Sequence, residues 1–461
     1  LAGRVFDFGP DGTQFQEPIE LRISYDPDLV QGDPRRLRLF KLHAEGWRVL
    51  PGSSVDTELH IVRGTISSFS IYGIGLSVSG TSTTTRVSVS SAGAETNGDS
   101  GHVALASDGG HVALASDATN LVAGDTNAAT DVFIHDRDAD FDGIPDEAGA
   151  ITTVRVSVST AGIESDGDSY FPRMSRNGRH VVFSSLATNL VSGDGNAVQD
   201  IFVRDRDTDG NGIPDEVGGV ATVRVSVSSA GVEADALCLQ AAPSGTGRFV
   251  AFASQAGNLI GSDGNGTVDI FVHDRDVDGD GIFDEPAAIS TVRVSVASDG
   301  SEGDGASLAP TISNDGRFVA FISSATNLIG TDANARTDVF LHDRDTDADG
   351  LFDEAGAIST VRASLGDDES EANDASDLPA VSDDGRYVAF TSNATNLVAS
   401  DGNGVTDVFV RDAVNGTTVR VSVASNGGEG GGQSYAFDMS SDGRRVTFQS
   451  LASNLVASDT N

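Results

Sequence analysis

RVSVSTAGIESDGDSYFPRMSRNGRHVVFSSLATNLVSGDGNAVQDIFVRDRDTDGNGIPDE, residues 155–216, holds the pieces that decide the fold. RVSV, YFPRMS from Tyr170, NGRHVVFSS from Asn177 and DIFVRD from Asp200 are short, rich in Val, Ile or Phe, and bounded by Gly, Asp, Asn or Ser, which is how short strands read. The same pieces return along the chain. RVSV begins at Arg86, Arg155, Arg224 and Arg293, RASL at Arg362, and RVSV again at Arg420; the first five are 69 residues apart and the last step is 58. The missing 11 residues fall after Asp412. DGR-type strings start at Asn177, Thr246, Asp315, Asp384 and Asp442, and DVF-type strings at Asp131, Asp200, Asp269, Asp338 and Asp407. Four strands per unit joined by tight turns make an antiparallel meander, and a meander recurring at this period stacks face to face on its copies. The fold class is all-β, and each unit reads as a propeller blade. No stretch shows apolar residues at helical spacing over three turns.

Composition narrows function. The chain has 461 residues, 29 Lys+Arg against 69 Asp+Glu and a net charge of −40, with Lys41 its single lysine. Nucleic acid needs clustered cations, so it is excluded as a partner, and anionic membrane surfaces are disfavoured. Hydrophobic residues are 38% with 54 Gly, enough for a core of short strands between glycine turns. Cys238 stands alone, which rules out an intrachain disulfide, and it reads as a small buried apolar side chain. No apolar run is long enough to span a bilayer; the longest, 71–78, is broken by Gly and Ser. No basic, then apolar leader pattern precedes the first strands, so a leader is expected to have been removed or to lie outside this stretch.

Roughly residues 83–461 resemble the WD40-like propeller family typified by TolB, whose blades carry P-x-x-S-x-D-G-x-x-[VI]-A-F followed by a [DI]-[IVF]-[FY]-V-x-D strand; DLPAVSDDGRYVAF from Asp377 and DVFVRD from Asp407 fit it. The first unit departs, with GHVALASD at Gly101 and again at Gly110, so that a copy of the second strand stands where P-x-x-S is expected. Six RVSV-type strings, the first preceding any complete unit and the last unit stopping at Asn461, read as a six-bladed propeller of four-stranded antiparallel blades whose last blade is completed by strand 84–90; a seventh blade is the alternative. Residues 1–79 lack the period. IELRISY from Ile19, LRLFKL from Leu37, WRVL from Trp47 and GTISSFSIYGI from Gly64 read as a small β-sandwich that resembles ZU5 modules, with Ser68-Phe69-Ser70 where those often carry H-F-S and Trp47 as core.

Four units run from the DVF strand into an acidic insert, as in DRDVDGDGIFDE from Asp274. Carboxylates at alternate positions before a glycine wrap oxygen ligands around a hard cation, and calcium is the expected ion. Positions one, three, five and nine give Asp138, Asp140, Asp142 and Asp146; Asp207, Asp209, Asn211 and Asp215; Asp276, Asp278, Asp280 and Asp284; Asp345, Asp347, Asp349 and Asp353. The string resembles thrombospondin type 3 and dockerin loops. A shifted register uses Glu147, Glu216, Glu285 and Glu354 to close the shell; the first register is preferred. The fifth unit has AVNGTT after Asp412 instead, so a blade closes without the insert. A second pattern, D-x-N-x-x-x-D, at Asp125/Asn127/Asp131 and its copies up to Asp401/Asn403/Asp407, reads first as turn chemistry and second as metal binding.

Catalytic motifs fail. Gly98-Asp99-Ser100-Gly101 is a by-product of the repeat, since Gly167-Asp168-Ser169-Tyr170 stands one unit on, and there is no G-x-S-x-G or H-E-x-x-H. His135, His273 and His342 share a position with Arg204 and Arg411 and read as interchangeable surface residues. The functional expectation is a calcium-binding, non-catalytic interaction propeller in an extracellular, periplasmic or cell-surface protein, monomeric within a longer chain, with a protein or carbohydrate ligand. The rivals are a propeller glycosidase or lyase with a central site, and an accessory propeller of a peptidase.

Overall fold

The computed structural model describes Val5–Asp7, Gln14–Ser24, Leu37–His43, Gly46–Val49, Ser54–Asp56, Ile61–Ser68 and Ile71–Leu76, then residues 84–459 except 108, 141–143, 262, 331, 400 and 458. All elements among these residues are strands. Contacts divide the chain into two compact units. One holds Leu1–Ala128, Phe133–Arg155 and Arg176–Gly178; the other holds Ala129–Val132, Val156–Ser175 and Arg179–Asn461.

The N-terminal strands make two antiparallel sheets. Ile71–Leu76 lies between Val5–Asp7 and Leu37–His43, with Gly46–Val49 outermost; Ile61–Ser68 lies between Gln14–Ser24 and Ser54–Asp56. Val62, on Ile61–Ser68, is fully buried. Trp47 lies on Gly46–Val49, and its surroundings are outside the described side chains.

From Ser100 onward the repeat becomes five four-stranded sheets in simple sequence order. The first comprises Ser100–Leu105, His111–Ser116, Asp131–Asp136 and Thr152–Arg155. The fourth, Ser307–Ile312, Phe318–Ser323, Asp338–Asp343 and Ser359–Arg362, shows why the strings fold as they do. Its two middle strands are almost wholly buried, because neighbouring sheets cover both faces, and so they read as unbroken apolar runs rather than alternating ones. Phe321 and Phe340 face each other across these strands with ring centroids 5.9 Å apart, as Phe183 with Phe202 and Phe252 with Phe271 do in earlier sheets. Between sheets the side chains interdigitate: Val250, Phe252 and Phe271 pack with Val182 and Val203, while Phe249, Ala251 and Val272 pack with Val319 and Phe340. The core is thus a series of layers, each shared by two sheets.

The DGR turn needs its glycine for two reasons. Gly316 has φ +84°, and a Cβ there would meet the Phe249 ring at 2.1 Å, so the preceding sheet's aromatic side chain lies on bare backbone. The inner strand is locked by paired hydroxyls, Ser307 to Ser323 at 2.9 Å. Cys238 replaces the first serine in the third sheet, 3.2 Å from Ser254, fully buried and with its thiol pushed up to about 12 by that burial.

Two expectations are corrected. The sixth unit is a two-stranded sheet, Ser434–Met439 with Val446–Ser450, and residues 84–90 form no strand, Val89 making only an isolated bridge to Glu95. Strand 84–90 therefore does not complete a blade by ladder pairing. The reason lies in RVSV itself: in each complete sheet the last strand ends at its arginine and pairs with a DVF strand, while the following Ser and Val belong to a linker that bridges back on itself, as Val296 does to Glu302. The second correction concerns His135, His273 and His342, which are buried rather than on the surface.

Candidate metal centres

Each acidic insert grows from a rigid corner. In the third sheet the DVF strand ends at Asp274, which receives two 2.8 Å hydrogen bonds from Arg248 of the DGR turn and a third, 3.0 Å, from the Asp276 amide. That last bond starts the loop. Asp276 is buried, and its carboxylate accepts the amides of Asp280 at 3.1 Å and Gly281 at 3.2 Å, so the chain folds back over it. Asp345 does the same with Asp349 and Gly350 at 3.2 and 3.0 Å, and Asp207 with Asn211 and Gly212 at 3.1 and 3.0 Å. Position five turns the chain outward: Asp280 accepts the Ile282 amide and Asp349 the Leu351 amide, both at 2.8 Å. Ile282 and Leu351 themselves stand exposed at the loop tips.

The first three ligand positions converge. Carboxylate oxygens of Asp276, Asp278 and Asp280 lie within 4.8 Å of one another, and so do those of Asp345, Asp347 and Asp349. Local desolvation on this exposed loop, a hydrogen bond with Asp345 and the Asp349 and Asp345 charges push Asp347 up, as crowded acids do. In the second loop Asp207, Asp209 and Asn211 gather through the Asn211 amide, which donates to Asp209 at 3.0 Å and to Glu216 at 2.6 Å. In the first loop Asp138 is buried and Asp140 exposed, and Asp142 lies outside the described residues.

The ninth position goes elsewhere. Asp146, Asp215, Asp284 and Asp353 each grip an arginine nine residues back; Arg275 meets Asp284 at 2.9 and 2.6 Å, and Arg344 meets Asp353 at 2.9 and 2.5 Å. Arg137 and Arg206 repeat the pair. Arg275 is almost fully buried, donates to the Gly247 carbonyl at 2.8 Å and lies over Phe283. A guanidinium so placed demands a counter-charge, and removing one partner of such a pair costs about 3–5 kcal/mol. Asp284 reaches it with φ +64°, in the left-handed region that Asp tolerates. This arginine was missed by reading the carboxylates alone. Its signal is in the sequence: Arg137, Arg206, Arg275 and Arg344 occur in the four units with an insert, and the unit without one has Ala413 there.

The D-x-N-x-x-x-D pattern serves as turn chemistry and more. Asn265 accepts the Thr267 amide at 2.7 Å and donates to Asp269 at 2.9 Å. Arg293, the arginine of RVSV, brings Asp263, Asp269 and Glu302 around its Nη1 at 3.6, 3.4 and 2.5 Å. The buried histidines are structural: His273 and His342 sit 2.9 and 2.8 Å from Thr291 and Thr360, both pushed down to about 4 by burial, and Arg204 donates to Thr222 at 2.9 Å from the same place. That exchange of His for Arg matches the interchangeability expected, inside the protein rather than on it.

No family model and no curated protein matches the chain. Among solved structures it is similar to a putative TolB from Agrobacterium tumefaciens, at 13% identity and TM-score 0.37, over 83% of this chain and 87% of that one. It is also similar to TolB from Acinetobacter baumannii, at 12% identity and TM-score 0.34, over 86% and 66%, and to the β-propeller domain of the Trilobed protease from Pyrococcus furiosus, at 8% and 0.36, over 74% and 78%. Among the described residues no helix is long and apolar enough to cross a membrane.

Proposed function

We propose that the chain is a calcium-binding β-propeller of five four-stranded blades and a two-stranded sixth unit, preceded by a ZU5-like module, and that it acts outside the cytosol, at the cell surface, in the periplasm or secreted, as a non-catalytic module for a protein or carbohydrate ligand. The observation that carries the calcium reading is the approach of Asp276, Asp278 and Asp280, and of Asp345, Asp347 and Asp349, to within 4.8 Å. Three carboxylates in one short loop repel unless a cation stands among them. All-oxygen donors of this kind suit calcium, which takes six to eight ligands; Glu285 and Glu354 replace the aspartates withdrawn to Arg275 and Arg344 as candidates to extend the shell. Calcium loops of extracellular modules bind at about 10⁻⁴–10⁻³ M, so they fill outside a cell, which supports the location. The non-catalytic reading is supported by the groups that chemistry would need: the Cys238 thiol is inert, and His273 and His342 are committed to buried threonines. The test is a thermal melt with calcium, magnesium or chelator on the native chain and on one carrying Asp138→Ala, Asp207→Ala, Asp276→Ala and Asp345→Ala. Calcium at about ten times its dissociation constant adds about 1.4 kcal/mol per site to the native chain, and magnesium adds less. A native melt indifferent to calcium, or a quadruple variant with an unchanged response, sinks the reading.

A further inference from the structure

We propose a second set of divalent-cation sites, separate from the loops, at the start of the DVF strands: Asp263/Asp269/Glu302, Asp332/Asp338/Glu371 and Asp401/Asp407/Glu429, each cation lying beside the arginine of the RVSV string. In each trio the carboxylate oxygens lie within 4.8 Å of one another. The three acids come from different places: a turn, the first residue of a strand, and the linker hairpin beyond the next strand. The fold therefore brings them together on purpose of its own geometry and not by adjacency in one acidic run.

Hydrogen bonding accounts for most of these oxygens. Asp269 takes Ser295 at 2.6 Å on Oδ1 and Asn265 at 2.9 Å on Oδ2, and Glu302 takes the amides of Gly264 and Asn265 at 3.0 and 3.1 Å as well as Arg293. Asp263 Oδ1 takes none. Neither does Oδ1 of Asp332 or Asp401, nor of Asp194 in the second unit, although these side chains are only 2–3% exposed. The neighbouring guanidinium stands 3.3–3.6 Å from each of these oxygens and is drawn to the glutamate instead. A carboxylate oxygen buried without a donor costs about 1–3 kcal/mol or more, so a partner is called for.

Charge gives the same answer. Three carboxylates and one arginine leave two negative charges uncompensated around a pair of aspartates that are almost fully buried beside a partly exposed glutamate, and one divalent cation balances them. Burial and the surrounding acids push Asp263 and Asp401 up, so a proton is the competing partner. The donors are oxygen only, which selects a hard ion such as calcium. The trio at Asp401/Asp407/Glu429 belongs to the unit without an acidic insert, so these sites stand or fall independently of the loops.

Calorimetric titration of calcium into the whole chain tests this. The loops are first silenced with Asp138→Asn, Asp207→Asn, Asp276→Asn and Asp345→Asn. That protein is expected to bind about three calcium ions still, and adding Asp263→Asn, Asp332→Asn and Asp401→Asn to weaken them at least tenfold. Asp401→Asn alone is expected to remove one of the three, which keeps the test usable if the triple change impairs folding. A loop-silenced chain that keeps its circular dichroism yet takes up no calcium overturns the proposal, as does uptake unaffected by Asp401→Asn. If protons balance the clusters instead, the asparagine variants melt higher in calcium and chelator alike, which also overturns it. The two sets are told apart by subtraction: loss of calcium on silencing the loops refutes only these sites, and its full retention refutes only the loops.

Discussion

The loop at residues 343–359 and the hairpin at 412–417 join equivalent strands in adjacent sheets by different means. In both, the last residue of the DVF strand is an aspartate held by the DGR arginine, Asp343 by Arg317 at 2.7 and 2.8 Å and Asp412 by Arg386 at 3.1 and 2.7 Å. Asp412 then accepts the amides of Val414 and Asn415 and the Asn415 side chain, and the hairpin closes at once. Asp343 accepts the Asp345 amide, and a chain 11 residues longer follows, with its own buried arginine, its own counter-aspartate and its own trio of acids. The corner is the same and the strands pair in the same register beyond it. The insert is therefore an addition to a blade that is complete without it, and its acids are free to serve something other than folding.

That contrast can be broken from the blade side first. Phe321→Ala empties a site shared by two strands and two sheets, and is expected to cost about 3–5 kcal/mol in urea unfolding, with or without calcium. If the loss were under about 1 kcal/mol, the layers between sheets would not be the source of stability. Arg344→Ala comes next, at about 3 kcal/mol, because it leaves Asp353 and the Gly316 carbonyl without their donor. An unchanged midpoint would show the loop to be held by its carboxylates instead.

Acid sharpens the same point. His342 is held neutral down to about 4 against an ordinary value of 6.5. The unfolded chain takes up a proton below about 6.5 that the fold refuses, so stability is full above that value and declines as pH falls toward 4, by roughly 2–3 kcal/mol for this residue. His342→Arg, which copies Arg204 and Arg411, is expected to flatten that part of the profile when midpoints at pH 7 and 4.5 are compared. The smallest effect belongs to exchanging residues 344–358 for the Ala-Val-Asn-Gly of 413–416. Arg344 and Asp353 leave together, so no charge is stranded, and stability in chelator is expected to change by less than about 1 kcal/mol. A larger loss would make the insert part of the blade.

Local patterns carried most of the fold into view. The DVF and DGR strings are strands because their residues favour a sheet buried on both faces, and the 69-residue period shows that they repeat. Alternate acids before a glycine point to the groups that converge in the loops after Asp274 and Asp343, since that geometry is closed by hydrogen bonds over two to five residues. What escaped depends on partners farther off. Asp284 looks like a ninth ligand until Arg275 is seen buried beside it, and Arg293 looks like a strand end until Glu302 arrives on the linker. His273 looked exposed because its burial depends on the strands around it and not on its own neighbours in sequence. The strand proposed at 84–90 failed for a related reason: RVSV marks where a strand stops, not where one runs.

Amide hydrogen exchange, read at both joins in one protein, tests the central claim most directly. The amides of Asp280, Gly281, Asp349 and Gly350 fold over the first loop carboxylates, while Asn415 and Gly416 hold the hairpin without a metal ligand set. Millimolar calcium is expected to slow exchange at the first four about tenfold or more and to leave the last two unchanged. Equal rates at the loop amides in calcium and chelator, or a slowing shared by the hairpin, would contradict the account.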